Sequence, residues 1–354
     1  METQDKFVAM VSAKARVDLP LSDFDPISEV RQQIHLPSKP LVPTIDFHNH
    51  LDSLKPEQVL PILDAVGVER IVNITMQVGQ RALDIMDLYH RANPERFYSI
   101  GWMDWSGLEQ LDFIDVTRRR LDALAAHGAI GLKFWKDFGL TLTDEHGKLY
   151  RIDDERFAPI FDHATQLGFF VMFHTADPAA FFRPIDRFNE RYEELAAHPE
   201  WAYSEVPTEK WELLRQRNNV YARHRQLTFV GAHVGESGED LAFVREMLLQ
   251  HPNAMVDISA RTPELGRQPY TARKLFLDFP DRILFGTDLL PEEEMYRLHY
   301  RFLETADEYF AYPSHSSRQG RWNIYGLHLP EEVLRKVYRE NALRLLAAHA
   351  ASRK

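Results

Sequence analysis

The feature that most constrains the fold of this chain is a series of eight apolar runs, each short enough to be a β-strand. Seven of them are followed by a stretch with helical spacing of apolar residues before the next run begins. Strands that alternate with helices favour a parallel sheet whose strands are buried on both faces. The predicted strands are about residues 42–48, 70–75, 97–102, 129–134, 169–174, 227–233, 254–259 and 283–288.

This pattern predicts an α/β fold of the (β/α)8 TIM-barrel type at residues 41–350. A chain of 354 residues, 44% of them hydrophobic, can bury the core that such a barrel needs. The alternative is a doubly wound open sheet. We disfavour it because no glycine-rich turn follows the first apolar run, where the nucleotide site of that fold would need one.

Two segments lie outside the repeat. Residues 1–40 are interrupted by several prolines and are expected to form an N-terminal extension packed on the outside of the barrel. An insertion at about 177–225, rich in Trp, Tyr, Arg and Glu, separates the fifth apolar run from the sixth. This insertion is expected to form either a lid over the barrel mouth or a contact between subunits.

Composition excludes several classes of function. The net charge of -11 argues against nucleic acid or an anionic membrane surface as a partner. Without cysteines, a metal would have to bind to His, Asp, Glu or a modified Lys. Residues 1–6 do not begin a signal peptide, and no apolar stretch is long enough to span a bilayer. We therefore expect a cytoplasmic protein with a small-molecule substrate; fold analogy alone allows a homo-oligomer.

The first apolar run ends in a pair of histidines. Ile45 and Phe47 alternate with Asp46 and His48, which is the period of a strand. His48 and His50 are two residues apart, so both imidazoles are expected to point to the same side. Neutral imidazole is a common zinc ligand. The pair alone is a weak signal in a chain with 16 histidines.

Chemically capable side chains also stand at the ends of later runs. They are Lys133, His174, His233 and Asp288. In a TIM barrel these ends form one rim, where the active site is built. A metal set that leaves positions open for water, as a catalytic site needs, is His48, His50, His174 and Asp288.

Each of these residues also has an ordinary structural interpretation. A histidine at a strand end is commonly hydrogen-bonded in the core, Asp288 could cap the next helix, and Lys133 could extend to solvent. Their joint occurrence on one rim favours the functional interpretation. Histidines without this pattern are expected to be solvated on helices or loops; they are His90, His127, His146, His163, His198, His251, His299, His315, His328 and His349.

The sequence offers fewer clues to the substrate. Arg261 follows the seventh run and could hold a substrate carboxylate through two parallel hydrogen bonds, or equally could form a surface salt bridge. Together with Lys133 it suggests an anionic substrate. Aromatic residues that could wall a pocket, or simply pack, are Trp102, Trp135, Phe181 and Phe182.

Taken together, these motifs resemble the amidohydrolase superfamily. The resemblance is strongest to the amidohydrolase-related branch, which also contains enzymes of the aminocarboxymuconate semialdehyde decarboxylase type. It covers about residues 42–347. The matching segments are Asp46-Phe47-His48-Asn49-His50, Gly131-Leu132-Lys133, Phe173-His174-Thr175, Gly231-Ala232-His233-Val234-Gly235, Phe285-Gly286-Thr287-Asp288 and Asn341-Ala342-Leu343-Arg344-Leu345-Leu346.

The resemblance implies that a divalent metal, most often zinc, is held by His48, His50, His174 and Asp288. Asp288 would also accept the proton of the attacking water, and His233, beside the metal, would orient that water or stabilise an oxyanion. Two-metal relatives carry a carboxylated lysine on strand four, a plan that Lys133, His174 and His233 fit. We favour one metal because the segment around Lys133 also resembles the unmodified one-metal branch, and Lys133 would then bind a substrate carboxylate.

Three functions are compatible with these residues. The first is a metal-dependent hydrolase of a small, carboxylate-bearing amide, lactone or ester. The second is a non-oxidative decarboxylase of the same fold, which would use the same residues. The third is a barrel that binds a partner without catalysis, which the complete metal set argues against.

Overall fold

The computed structural model describes residues 19–24, 26–31, 33–312 and 319–352. Eight strands form one sheet in sequential order, and each neighbouring pair is parallel. The strands are β1 (Thr44–Asn49), β2 (Val68–Ile74), β3 (Phe97–Trp102), β4 (Ala129–Phe134), β5 (Phe170–Phe173), β6 (Phe229–Gly231), β7 (Ala254–Asp257) and β8 (Ile283–Leu284).

The sheet closes between its first strand and the end of its last. The amide of Phe47 donates to the carbonyl oxygen of Phe285 over 2.9 Å, and the amide of Asp288 donates to the carbonyl oxygen of His48 over 2.8 Å. The predicted (β/α)8 TIM barrel is therefore confirmed, and the open-sheet alternative is wrong.

Helices flank the barrel between the strands. The first begins at Pro56 and ends before Gly67, whose φ of 78° places it in the left-handed region that favours glycine. The longer helices are Pro56–Val66, Gly79–Ala92, Phe113–Ala126, Ala158–Gln166, Lys210–Arg223, Leu241–Gln250, Pro269–Asp278, Glu293–Glu304 and Asn341–Ser352. Short helical segments are Leu21–Asp23, Asp137–Leu140, Glu155–Phe157, Ala179–Phe182, Tyr192–Ala197, Pro199–Trp201, Ala232–Gly235, Thr262–Gly266, Glu331–Arg335 and the π-helical Lys336–Glu340.

Two apolar layers hold these elements together. One lies between the sheet and the helices, and the other fills the barrel interior with strand residues such as Phe47, Phe170 and Met172. Leu345 and Leu346 of the last helix join the interior cluster. Because this packing fills the middle of the barrel, the polar residues of the strands collect at the carboxyl ends.

A bulge in β1 places its histidines. Opposite β2, Asp46 pairs with Ile71 but Asn49 pairs with Asn73, so β1 holds one extra residue between them. Phe47 packs in the barrel interior, and the imidazole of His48, the next residue, also turns inward toward the mouth. Strict alternation would have pointed these neighbouring side chains to opposite faces.

The insertion between β5 and β6 forms ion pairs with the segment after β7. Arg191 is buried and forms ion pairs with Glu194, at 2.6 Å, and with Glu264, which follows β7. Arg267 and Glu190 form another pair across the same contact, at 2.8 Å. The insertion thus packs against the segment that follows β7.

The chain divides into two compact units, residues 1–33 and 34–354. The first 18 residues of the predicted extension lie outside the described part. Within the described part of this unit, Leu21–Asp23 form a 3-10 turn, and the side chains of Leu21, Phe24 and Ile27 are exposed. In the described ranges no helix has the length and apolar character needed to cross a bilayer.

The prediction that the remaining histidines are solvated is wrong for three of them. His251, His299 and His349 are buried. His299 lies on a helix whose inward face packs against the barrel, and its Nδ1 bonds to the carbonyl oxygen of Met295 at 2.9 Å. Its neighbours in sequence are mixed in polarity, so the local pattern did not reveal the buried face. His315 lies outside the described residues.

Candidate metal centre

The imidazole of His48 forms the buried floor of the rim. Its Nδ1 lies 2.9 Å from Oδ2 of Asp257, a fully buried carboxylate at the end of β7. A carboxylate can only accept, so Nδ1 carries the proton and Nε2 presents a lone pair. That lone pair points away from Asp257 into the mouth of the barrel.

Two more histidines are fixed in the same way by main-chain carbonyls. Nδ1 of His50 lies 2.7 Å from the carbonyl oxygen of Ile74, and Nδ1 of His233 lies 2.9 Å from that of Ser259. In each ring the proton therefore resides on Nδ1, which leaves Nε2 as an acceptor.

The fourth histidine presents its other nitrogen. Nε2 of His174 lies 3.3 Å from Oδ1 of Asp177, so Nε2 carries the proton and Nδ1 is the acceptor. Nδ1 in turn lies 3.2 Å from Nε2 of His233. All four rings thus have their outer nitrogen satisfied and their inner nitrogen unprotonated.

Asp288 meets three of these inner nitrogens. Its Oδ1 lies 3.3 Å from Nε2 of His50 and 3.8 Å from Nε2 of His48, and its Oδ2 lies 3.8 Å from Nε2 of His233. One donor atom each from His48, His233 and Asp288 lie within 4.8 Å of one another. The side chain of Asp288 is 23% exposed, so the centre opens to the mouth.

The donor set fits a divalent metal. The inner nitrogens of His174 and His233 are both lone-pair acceptors at 3.2 Å, and two such acceptors repel unless a cation lies near them. Imidazole nitrogens with one carboxylate form a typical site for zinc and similar metals. Outer acceptors that fix each ligand ring are likewise characteristic of metal sites.

Two residues of the centre have strained backbones. His233 and Asp288 have φ angles of 56° and 54°, in the left-handed region that residues other than glycine rarely adopt. His233 follows β6 in the turn Ala232–Gly235, and Asp288 follows β8. Strain of this kind is maintained where side chains must be aimed at a functional site.

Burial and mutual attraction set the charges of the centre. Burial lowers the pKa of His48 and His233, and it lowers the pKa of His174 to about 4, so these rings are neutral and able to bind metal. Burial opposes the ionisation of Asp288, but positive charge on the neighbouring imidazoles outweighs burial and holds the pKa of Asp288 well below its usual range; a bound cation would favour the carboxylate in the same way.

Lys133 lies on the floor of this centre. Its Nζ is 3.4 Å from Nε2 of His48 and 3.4 Å from Sδ of Met172, and the side chain is almost completely buried. Burial lowers the pKa of Lys133 to about 8, although Asp257 and Asp288 oppose the shift. Lys133 thus faces the inner nitrogen of His48 rather than open solvent.

The other predicted residues stand around the mouth. Arg261 is buried just after β7, and its Nη1 donates to its neighbour's carbonyl oxygen, on Ala260, over 2.8 Å. On the other side, the ring centroid of Trp102 lies 6.5 Å from that of His50 and 5.9 Å from that of Trp135. Trp102 and Trp135 therefore form an aromatic wall that begins beside His50.

The structure brings together every residue of the sequence-predicted rim, but in a slightly different grouping. His48 and Asp288 belong to the compact group of donors, as expected. His233 belongs to it as well, whereas His50 lies against Asp288 and His174 against His233.

Sequence reasoning missed Asp257 and Asp177 as partners of the site. Asp257 closes an apolar strand, and Asp177 lies three residues after His174. Asp257 is a carboxylate at a strand end, which marks it as a candidate without revealing its partner, whereas Asp177 lies in the loop after β5 and carried no such signal.

Comparisons with known proteins place the chain in a family. Residues 45–347 match the amidohydrolase family, and the chain belongs to it. The predicted resemblance to the amidohydrolase superfamily is therefore confirmed. No curated protein matches the chain.

Solved structures share the fold at low sequence identity. An uncharacterized TIM-barrel protein from Bordetella bronchiseptica is 13% identical with a TM-score of 0.58, covering 87% of this chain and 100% of that one. 2,6-Dihydroxybenzoate decarboxylase from Rhizobium is 16% identical with a TM-score of 0.55, covering 87% and 99%. 4-Oxalomesaconate hydratase from Rhodopseudomonas palustris is 13% identical with a TM-score of 0.51, covering 87% and 97%.

Proposed function

We propose that this protein is a metal-dependent hydrolase of a small, carboxylate-bearing amide, lactone or ester. The observation that carries the proposal is the convergence of three imidazoles, those of His48, His50 and His233, on the carboxylate of Asp288. The fourth imidazole, His174, lies against His233. Structural histidines in a barrel have no need to present several lone pairs to one carboxylate, whereas a metal centre does.

We assign the metal to donors of this centre. His48 and Asp288 belong both to the metal set predicted from the sequence and to the compact group of donors. Sequence reasoning completes the set with His50 and His174, and His233 then stands beside the metal. When bound, a divalent metal supplies a Lewis acid that polarises a substrate oxygen and brings the pKa of water near neutral. We favour one zinc ion per chain.

Asp288 and His233 carry the proton chemistry of this proposal. Asp288 is ionised and open to the mouth, so it can accept the proton of the attacking water and pass it to the leaving group. His233 is held by Ser259 with Nε2 turned inward, where it orients the water or stabilises developing negative charge.

Arg261 is the proposed anchor for the substrate carboxylate. It is buried at the mouth, and a guanidinium can bind a carboxylate through two parallel hydrogen bonds. Lys133, the other residue predicted to bind substrate, lies deeper, against His48 and Met172. It would reach only a substrate group that enters the floor of the centre.

A non-oxidative decarboxylase is the second candidate. It is favoured by the fold shared with 2,6-dihydroxybenzoate decarboxylase, a protein named for removing a carboxyl group from an aromatic acid. The same residues would serve, with the metal anchoring the substrate. The aromatic wall of Trp102 and Trp135 beside His50 suits a planar ring.

An activity screen of the zinc-loaded protein over lactones, amides and aromatic carboxylates tests both candidates, with His174→Ala as the blank. Release of an acid with an alcohol or amine supports the hydrolase, and release of carbon dioxide supports the decarboxylase instead. A wild-type protein that binds no divalent metal contradicts both. Metal analysis after purification with bicarbonate and excess zinc counts the ions, and two equivalents per chain would overturn the one-metal assignment.

A further inference from the structure

A carboxylate outside the predicted site holds His174. Asp177 follows β5 by four residues, and its buried side chain lies 3.3 Å, through Oδ1, from Nε2 of His174. The other oxygen, Oδ2, accepts a hydrogen bond from Nζ of Lys136 over 2.5 Å. Lys136 follows β4, so the carboxylate links the ends of two neighbouring strands.

Lys136 is itself held in place by aromatic rings. Its Nζ lies 5.4 Å from the ring centroid of Trp135 and 5.6 Å from that of Tyr203, which belongs to the insertion. Ammonium groups are attracted to aromatic faces at this distance. The position of Asp177 is therefore set by β4, β5 and the insertion together.

The other three histidines of the centre have acceptors on the barrel itself. His50 and His233 bond to main-chain carbonyls, and His48 bonds to the last residue of β7. His174 is paired with a loop carboxylate, whereas the loop side chain near His48 and His233 is the hydroxyl of Ser259, at 2.9 and 3.1 Å, which supplements their other acceptors. The orientation of His174 therefore depends on groups that can be changed without altering a strand.

We propose that Asp177 is a positioning residue that fixes the orientation and the tautomer of the His174 ring for metal binding. Lys136 determines which carboxylate oxygen of Asp177 lies against that ring. Asp177 accepts the Nε2 proton of His174, which leaves Nδ1 unprotonated toward the centre. The inference rests on the metal site proposed above and deepens it.

Asp177→Asn tests this directly because an amide is not symmetric. The ammonium of Lys136 will bind the amide oxygen, so the amide nitrogen will face Nε2 of His174. A donor there requires Nε2 to accept, which moves the ring proton to Nδ1, the atom that faces the metal. Zinc affinity of the full-length metal-free protein, measured by chelator competition, is expected to fall about 10- to 100-fold.

A matched control exists on the outside of the barrel. Asp122 and His163 form the same kind of pair, with Oδ1 and Nε2 2.7 Å apart, far from the centre in the fold. Asp122→Asn is expected to leave zinc affinity unchanged. A similar loss in both variants would overturn the proposal, since it would show a general effect of removing charge.

Lys136→Met provides a second test, because it is expected to change zinc affinity in opposite directions with Asp and with Asn at position 177. With Asp177 present, losing Lys136 removes one partner of the carboxylate, leaves Tyr203 and His174 as the others, and is expected to weaken zinc binding. With Asp177→Asn present, losing Lys136 lets the amide turn its oxygen to His174, so zinc affinity is expected to recover in part. A merely structural role for this pair would lower affinity in both backgrounds, and that result would overturn the proposal.

Metal binding by the wild type and by the variants separates the proposed metal site from the positioning role of Asp177. If the wild-type protein binds no divalent metal, the proposed function is wrong. If the wild type binds zinc and Asp177→Asn binds it equally well, only the positioning role is wrong. Should Asp177→Asn not fold, Lys136→Met alone decides, and an unchanged zinc affinity then counts against the role of the pair.

Discussion

Asp257 accepts a hydrogen bond from Nδ1 of His48 over 2.9 Å, so a carboxylate at the end of β7 fixes a histidine at the end of β1. Its other oxygen, Oδ1, accepts from the backbone amide of His233 over 2.9 Å. Burial disfavours the ionised form of Asp257, but the interaction with His48 outweighs this effect and lowers the pKa of Asp257. One buried charge thus positions two donors of the centre.

Replacing Asp257 by Asn is expected to weaken zinc binding by about 10- to 100-fold, because the amide no longer fixes the Nδ1–H tautomer of His48. The measurement is the zinc retained per chain after dialysis against graded chelator. Asp278→Asn, at an exposed ion pair with Arg245 and Lys274, is the control and should retain zinc like the wild type. Wild-type retention by Asp257→Asn would refute the role of this carboxylate.

His233→Asn is expected to keep the metal but lose turnover by about 100-fold or more, since orientation of water and stabilisation of charge would both be lost. The two readouts are zinc content and kcat on the substrate found in the screen. A loss of zinc in this variant would also be informative, because His233 lies in the compact group of donors with His48 and Asp288. Zinc content that falls in parallel with activity would make His233 a ligand.

Arg261→Lys is expected to raise KM about 10- to 100-fold with kcat changed little, because lysine keeps the charge but cannot form two parallel hydrogen bonds to a carboxylate. Steady-state kinetics on the same substrate measure both constants. Arg267→Lys is the matched control, as Arg267 pairs with Glu190 on the insertion. A normal KM in Arg261→Lys would remove Arg261 from the substrate site.

His299 makes stability sensitive to acid. Burial lowers its pKa from 6.5 to about 4, although the bond to Met295 opposes the shift. Between these values the unfolded chain binds a proton that the folded chain does not. Its contribution to stability is therefore complete above about pH 6.5 and is lost as the pH falls toward 4.

His299→Leu removes this linkage. From about pH 7 to about pH 4, the wild type is expected to lose roughly 3 kcal/mol of unfolding free energy more than the variant does. Urea unfolding at both pH values provides the comparison. Parallel pH dependences for the two proteins would show that His299 is not the group responsible.

Much of the barrel could be predicted from local pattern. The bounds predicted for β3 and β4 are those observed. Each is a short, mainly apolar run that follows a clear break, Asn93-Pro94-Glu95-Arg96 before β3 and His127-Gly128 before β4. β6 and β8 end earlier than predicted, at Gly231 and Leu284. The strained residues His233 and Asp288 therefore lie outside the strands, His233 in the turn Ala232–Gly235 and Asp288 in the segment after β8.

The partners of the site were less accessible to prediction. Asp257 and His48 are 209 residues apart, and their contact exists only because the barrel closes. The ordinary spacing rule placed His48 and His50 on one side of β1, but it did not include the bulge that turns Phe47 and His48 both inward.

The sequence by itself determined the eight-strand barrel and the residues at its rim, because apolar period and strand-end polarity are local properties that each segment carries alone. The tertiary structure decided which nitrogen of each imidazole faces the centre, that Lys133 is buried beneath it, and that Asp177 and Asp257 hold two of its rings. Those outcomes depend on contacts between segments brought together by closure of the sheet, and no local pattern records them.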